Sequence, residues 1–422
     1  MLIRVILVTL LTTLTLLCSG CYSQKETDSL AYIEVIGIDK AEGGKQKVTY
    51  QLAIPRSASG SDASSIMGAK DATSKKTWIT NTIIVPAPAE ARMLLSSTMP
   101  RTPNYKHIVA WIFSEEVARE GLGPSLAYPI RNRDFRDTTY LIIVQGTAED
   151  YIKRNTPTLE STVIKYYETV FTYANNSSYY LPSTIHNFLK RNKNIGGSPY
   201  VAYTGINPMT LKDKPAGSKT PEQKGDPYLP GGLPRTGTEN PAEFFGLAAF
   251  RGDKMVGVLN SDETRAIVLL QGKFIHGYVG VVDPLKPEKD AVNLNIYCDT
   301  TPKISADLNN GQAIFDVEVQ LEGEILGITS GINYEAPGYR ELLETQIANL
   351  FKGQITAMIR HTQELGTDPV GFGLYLRPQF SNTTELTQAN TTALYQAADI
   401  HVNVTAKIRR TGLIWRTTPP RN

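Results

Sequence analysis

Once its first 21 residues are accounted for, this chain has a single thiol left to fold with, and that limits the kind of body it can build. The opening reads MLIRVILVTLLTTLTLLCSGC. Arg4 sits near the start, an apolar core from Val5 to Leu17 is broken only by threonines, and Ser19 and Gly20 lead into Cys21. A cation, an apolar run and small residues are the three parts of a secretory signal. The run falls short of the roughly 20 apolar residues of a membrane span. A cysteine directly after Ser-Gly points further, to a lipoprotein cleaved between Gly20 and Cys21. There the Cys21 thiolate is the nucleophile that takes a diacylglycerol as a thioether. Cys18 stands where such sites usually carry Leu, with Leu17 one place early. An uncleaved anchor and plain secretion are the competing readings. With Cys18 lost in the leader and Cys21 carrying lipid, Cys298 has no partner within the chain. Burial and hydrogen bonds, not disulfides, are expected to hold the body together.

Removing Arg4 with the leader leaves 42 basic against 41 acidic side chains. Such a balance excludes the basic excess or stripe of a nucleic-acid binder. A body of roughly 400 residues exceeds one core, so two or three domains are expected.

AYIEVIGID and KVTYQLAI alternate like two strands around an EGGK turn. RSASGSDASSIMGAKDATSKK lacks period and bulk and reads as a mobile loop. TWITNTIIV reads as a strand and PAPAEARMLLSSTM as a helix with Leu94, Leu95 and Met99 on one face. KHIVAWIF is a strand, after which Ser114 caps SEEVAREG and Gly121 ends it. TTYLIIVQ is a further strand, Thr147 caps TAEDYIKRN, and Ser183 opens STIHNFLKRN. From 207 to 241 prolines alternate with Gly, Lys and Thr, a linker or insertion without a core of its own.

Beyond it, GLAAF and KMVGVL flank an RGDK turn, and IHGYVGVV, AVNLNIYC and AIFDVEVQLEGEIL read as strands. The last alternates Ile314, Phe315, Val317, Val319 and Leu321 against Asp316, Glu318, Gln320 and Glu322, which fits a sheet with one wet face. From about Tyr339 to Leu365, Leu343, Ile347, Leu350, Phe351, Ile355, Met358 and Ile359 recur in steps of three and four. That spacing predicts a long amphipathic helix, stopped at Gly366 and interrupted by Gly353. DIHVNVTAKIRRTGLIW closes the chain as a strand. The expected fold is α+β and multidomain, with mixed β-sheets, packed helices and one long amphipathic helix in the C-terminal half. Its expected divisions are a leader 1–20, an N-terminal α+β domain 21–206, the Pro/Gly-rich 207–241, and a C-terminal α+β region 242–422 that accommodates two subdomains.

Catalytic signatures are sparse. His107, His186, His276, His361 and His401 show no paired metal-ligand spacing. GFG at 371–373 lacks the third glycine of a dinucleotide loop, and neither a GxSxG elbow nor a GxxxxGK phosphate loop occurs. Asp262 and Glu263 form an adjacent carboxylate pair that does not converge by itself, and Ser261-Asp262-Glu263 reads more simply as a helix cap. The RGD tripeptide reads as turn chemistry. No metal, cofactor or catalytic residue is expected.

Three long blocks carry a resemblance. ETDSLAYIEVIGIDK follows Cys21-Tyr22, with a Gly37-Ile38-Asp39 turn; YKHIVAWIFSEEVAREGL leads to RNRDFRDTTYLIIVQGTAED; EFFGLAAFRGDKMVGVLNSDETRAIVLLQGKF opens the second half, and VTAKIRRTGLI ends it. In this order they resemble the Ger(x)C family, the lipoprotein C subunits of bacterial spore germinant receptors. Tyr22 in place of a common Trp, Cys18 and the long 207–241 stretch are departures. The resemblance implies a non-catalytic subunit on the outer face of the inner spore membrane, anchored by lipid on Cys21. It also implies assembly with multipass A and B subunits in a complex that responds to nutrients. No nucleic-acid partner and no small-molecule substrate are expected. The alternative is a lipid-anchored solute-binding protein or surface hydrolase, which needs a deep pocket with convergent polar groups.

Overall fold

The computed structural model describes residues 1–17, 26, 29–54, 77–160, 162–208, 227–235, 237, 240–414, 416 and 417. Helix α1 (Leu2–Leu17) comes first, and β1 (Leu30–Lys40) opens the body. β1 builds a large sheet with β2 (Gln46–Ala53), β3 (Trp78–Val85), β4 (Thr102–Asn104), β5 (Ala110–Ser114), β6 (Tyr140–Val144), β7 (Ser183–Thr184), β8 (Tyr200–Ile206), β9 (Ala242–Arg251) and β10 (Lys254–Leu259). The order is β10-β9-β8-β6-β5-β1-β2-β3, with β4 beside the start of β1 and β7 beside β6. Its middle, β8-β6-β5-β1, is parallel, and its flanks are antiparallel.

Parallel strands need crossover connections, and the crossover helices cover both faces. On one face lie α2 (Pro88–Thr98), α3 (Glu115–Glu120), α4 (Gly123–Arg131) and α8 (Ile185–Lys193). Their Leu95, Val117, Leu126 and Phe188 meet Ile36, Ile38, Phe113 and Ile143. On the other face lie α5 (Ala148–Arg154) and α6 (Val163–Thr172), which runs on into the short α7 (Ala174–Ser177). Tyr151, Ile152, Tyr167 and Phe171 there pack with Val35, Ile112, Ile142 and Val144. Burial from both sides is why AWIF in β5 and YLIIV in β6 run without alternating polar residues. Side-chain caps start the helices: Ser114 accepts the Val117 N–H, Thr147 the Asp150 N–H and Thr162 the Lys165 N–H. Thr184, one residue after the expected Ser183, caps α8. In α2 the buried face is Ala91 and Leu95, and Leu94 is exposed. The loop expected over 56–76 lies outside the described residues, as does most of the Pro-rich stretch.

The second sheet contains β11 (His276–Val282), β12 (Ala291–Tyr297), β13 (Lys303–Asn309), β14 (Gln312–Ile328) and β15 (Asp399–Arg410). β14 pairs β13 with one half and β12 with the other, while β15 runs parallel along its far side. Phe315, Val317, Val319 and Leu321 are buried, and Asp316, Glu318 and Gln320 face solvent. The inner face is covered by α10 (Tyr339–Leu365), whose Leu343, Ile347, Phe351, Ile355, Met358 and Ile359 are buried. Gly366, in the left-handed region at φ 65°, ends the helix. Two short helices, α11 (Thr383–Gln388) and α12 (Thr391–Gln396), precede β15. KISADLN forms β13, a strand the sequence reading left out.

The composition break at 207–241 is not where the sheets divide. β9 returns from it to pair with β8, and β10 hydrogen-bonds to β9. Ala248, Phe250 and Met255 join the first sheet's core, while Leu247, Ala249 and Leu259 join the second. Composition registers a surface loop, whereas sheet membership is set by cross-strand burial that no local window contains. α9 (Ser261–Leu270) then leads into the second core. A clasp closes the junction: Ser198 N–H donates to the Asp368 carbonyl at 2.7 Å, and Asp368 N–H to Ser198 Oγ at 2.9 Å. Here Gly196 lies so close to Gly373 that a Cβ would come within 2.5 Å of its carbonyl carbon.

Candidate functional site

The residues singled out in the sequence fall in three places. Gly20 and Cys21, the expected cleavage and lipidation pair, lie outside the described residues. What is described there is α1, with Val5, Ile6, Leu7 and Val8 all exposed. Among the described residues no helix is long and apolar enough to cross a membrane. The body begins at Leu30, nine positions after Cys21.

Gly37-Ile38-Asp39 was expected as a turn. It lies within β1 instead, paired with Thr49, Val48 and Lys47. The Asp39 carboxylate is buried and accepts the N–H groups of Ala148 at 2.6 Å and Glu149 at 2.9 Å. It therefore caps the start of α5 from 109 residues away, alongside Thr147. Burial raises its pKa, and those two backbone bonds oppose the rise. A Cβ at Gly37 would come 2.6 Å from Ile152 Cδ1 and 3.1 Å from Ala148 Cβ, so glycine there lets β1 and α5 pack closely. The motif is a fastening between strand and helix.

The third place is Asp262-Glu263. Asn260, one residue earlier than expected, is the N-cap of α9 and accepts from both Asp262 N–H and Glu263 N–H at 3.0 Å. Glu263 Oε2 in return accepts the Asn260 N–H at 2.8 Å. Its other oxygen meets His361 Nδ1 of α10 at 2.7 Å. Asp262 binds Arg265 at 2.9 Å and Gln354 Nε2 at 3.0 Å. Burial raises the Asp262 pKa, and Arg265 and Gln354 oppose it. Asn260, Asp262, Glu263 and Gln354 line a groove of about 650 Å³ between α9, α10 and β11, open where Gly353 lacks a side chain. Both carboxylates are thus engaged in fastening α9 to α10. The pairing with His361 spans 98 positions, and nothing local in the sequence signals it.

Little reactive chemistry stands elsewhere. Burial pushes the Cys298 thiol up to about 11, so it stays protonated at neutral pH. No group of three or more His, Cys, Asp or Glu residues that could hold a metal ion occurs among the described residues. Asp253 of the RGD turn accepts the Gly123 N–H at 3.0 Å and steadies the start of α4.

The comparisons with known proteins fit this two-part body. Residues 23–206 match the model of the spore germination protein N-terminal domain, and residues 245–412 match the model of the spore germination B3/GerAC-like C-terminal region. The chain belongs to the Ger(x)C family, the C-subunit family of bacterial spore germinant receptors. Spore germination protein B3 of Bacillus subtilis is 21% identical over 402 residues, covering 94% of this chain and 95% of the relative. Spore germination protein KC of the same organism is 24% identical over 400 residues, covering 93% and 92%. The crystal structure of the GerBC protein aligns with a TM-score of 0.49 at 17% identity, over 89% of this chain and 96% of that one. The Ger(x)C models meet the chain on either side of 207–244, which takes in the Pro/Gly-rich stretch.

Proposed function

We propose that this Ger(x)C chain is the non-catalytic, lipid-anchored C subunit of a nutrient germinant receptor. Diacylglycerol on Cys21 holds it to the outer face of the inner spore membrane, and it acts through contact with multipass A and B subunits. The observation that carries this reading is the match of both family models, in order, across nearly the whole body. The engaged state of its polar clusters supports it. Asp39, Asp262, Glu263 and Asp368 each spend their carboxylates on backbone or neighbouring side chains of the fold. An anchor also raises the chain's effective concentration beside integral partners.

The division of the chain follows from the same reading: leader 1–20, an N-terminal region from 21, the 207–241 insertion and a C-terminal region to 422. Deleting the gene is the test. Loss of the response to one class of nutrient, with germination by calcium dipicolinate retained, is the expected result. Full nutrient responses and intact levels of the multipass subunits would overturn it. The solute-binding alternative keeps one foothold in the groove beside Asp262. A nutrient that raised the melting temperature saturably would favour it.

A further inference from the structure

We propose that the edge of the large sheet nearest the anchor is a basic face that rests on anionic lipid headgroups; this deepens the lipid-anchor reading and rests on it. β1, β4, β5 and β6 run parallel, so their amino ends share one edge. That edge is where the chain arrives from Cys21. Nine residues span at most about 30 Å, which keeps the edge close to the bilayer surface.

Among the described residues, two loops furnish the edge. One leads through β4 to β5 and carries Arg101 and Lys106; the other leads from α4 to β6 and carries Arg133 and Arg136. They are packed as one surface. Tyr105 and Phe135 meet edge-on at 5.7 Å, and Tyr140 N–H donates to the Val109 carbonyl at 2.9 Å. β4 pairs Thr102–Asn104 with Leu30–Tyr32, so the first loop flanks the strand that leaves the anchor.

Lys106, Arg133 and Arg136 are exposed and Arg101 is half-buried. None of the four has an ion-pair partner among the described residues. Among the described residues the acids nearby are fewer: Asp134 is paired with Arg92 at 2.7 Å, Asp137 faces His186 at 3.5 Å, and Glu26 is exposed. The carboxyl edge is arranged differently. Lys40 sits between Glu116 and Glu120, Lys47 and Lys153 share Glu149, and Arg154 holds Asp150. Cations cost nothing to leave unpaired when the surface they face supplies the counter-charge.

Each Lys or Arg beside an anionic bilayer adds about 1 kcal/mol, or about fivefold in partitioning. The unacylated body from residue 22 is suited to the test, because all three cores lie between Ile33 and Ile408 and include no described residue of α1. It should sediment with phosphatidylglycerol-containing vesicles and not with phosphatidylcholine alone, and about 1 M salt should release it. Lys106→Gln/Arg133→Gln/Arg136→Gln should weaken binding about a hundredfold. Lys286→Gln/Lys289→Gln/Lys303→Gln, with the same net charge, should leave it unchanged. Equal losses from both triples, or no preference for anionic vesicles, would overturn the proposal, as would binding lost only to a partner subunit. Should the first triple fail to fold, single Arg136→Gln with its about fivefold loss serves instead. In the full-length protein recovered from membranes, the mass of the peptide beginning at Cys21 reads its acylation separately. Acylation without vesicle preference refutes the basic face alone, and vesicle preference without acylation refutes the anchor alone.

Discussion

The two sheets solve burial in different ways. The large sheet is parallel in its middle and covered by helices on both faces, so neighbouring residues on one strand, Trp111 and Ile112, enter two separate cores. The five-stranded sheet is covered on one face by α10 and wet on the other, so Leu321 is buried while Gln320 faces water. The first arrangement leaves few side chains free to meet a partner except at strand ends and loops. The second offers a broad polar face at little cost to stability. Contacts with other molecules are thus restricted in the first region to its edges and permitted across a whole face in the second.

The sharpest way to break this comparison is by adjacent substitutions. Trp111→Ala should cost about 3–5 kcal/mol and Ile112→Ala about 2–5 kcal/mol. On β14, Leu321→Ala should cost about 2–5 kcal/mol and Gln320→Ala less than about 0.5 kcal/mol. Denaturant unfolding reads all four, and a large loss at Gln320 would mean that the outer face is covered. Ile347→Ala, whose side chain reaches Gly323 of β14 and faces Ile408 of β15, should cost about 2–5 kcal/mol by the same measurement.

A pH series separates the regions next. Burial pushes Glu34 in β1 up from 4.5 to about 7. Between those values the folded state holds a proton that the unfolded state has lost, so stability falls as pH rises from about 4.5 to about 7 and then levels. Glu34→Gln should remove that slope and gain up to about 3 kcal/mol above pH 7. Asp368 at the junction, raised to about 6 by burial, acts in the same direction. Asp283 in the second region acts in the opposite one: burial raises its pKa, but bonds from Ser330, Tyr334 and the N–H groups of Leu285 and Lys286 lower it further. Unfolding curves of Glu34→Gln that keep the wild-type slope would place the titration elsewhere. A gain in place of a loss is expected at Gly353, where an added Cβ meets nothing within 4 Å. Gly353→Ala should stabilise by about 1 kcal/mol from helix propensity alone.

What was legible in the sequence was whatever sits within one turn or one strand. The Ser114 and Thr147 caps, the alternation of β14 and the stripe of α10 all follow from local spacing. β13 alternates Ile304, Ala306 and Leu308 with polar residues, but its short, half-buried apolar side is a weak signal, and its place is set by lying beside β14. The membership of β9 and β10 in the first sheet was not legible either. At the candidate site, the helix start around Asp262 and Glu263 is legible, though its N-cap is Asn260 and only Glu263 shares the capping box, while the partners Gln354 and His361 come from a helix far along the chain. Asp39 shows the same limit: the sequence offers a short motif, and only the fold reveals a cap on α5.

The pairing of β8 with β9 has a consequence for the order in which the protein is made. A chain delivered from its amino end presents β1 to β8 before the strands that finish their sheet exist. During that interval β8 carries an open backbone edge between two helical layers, a template for a neighbouring copy at the same stage. Release at Ile206 would leave that edge bare, whereas release after Leu259 would cover it and instead uncover Leu247, Ala249 and Leu259. Neither half is a natural stopping point, so synthesis has to run deep into the second sheet before the first can be safely left alone.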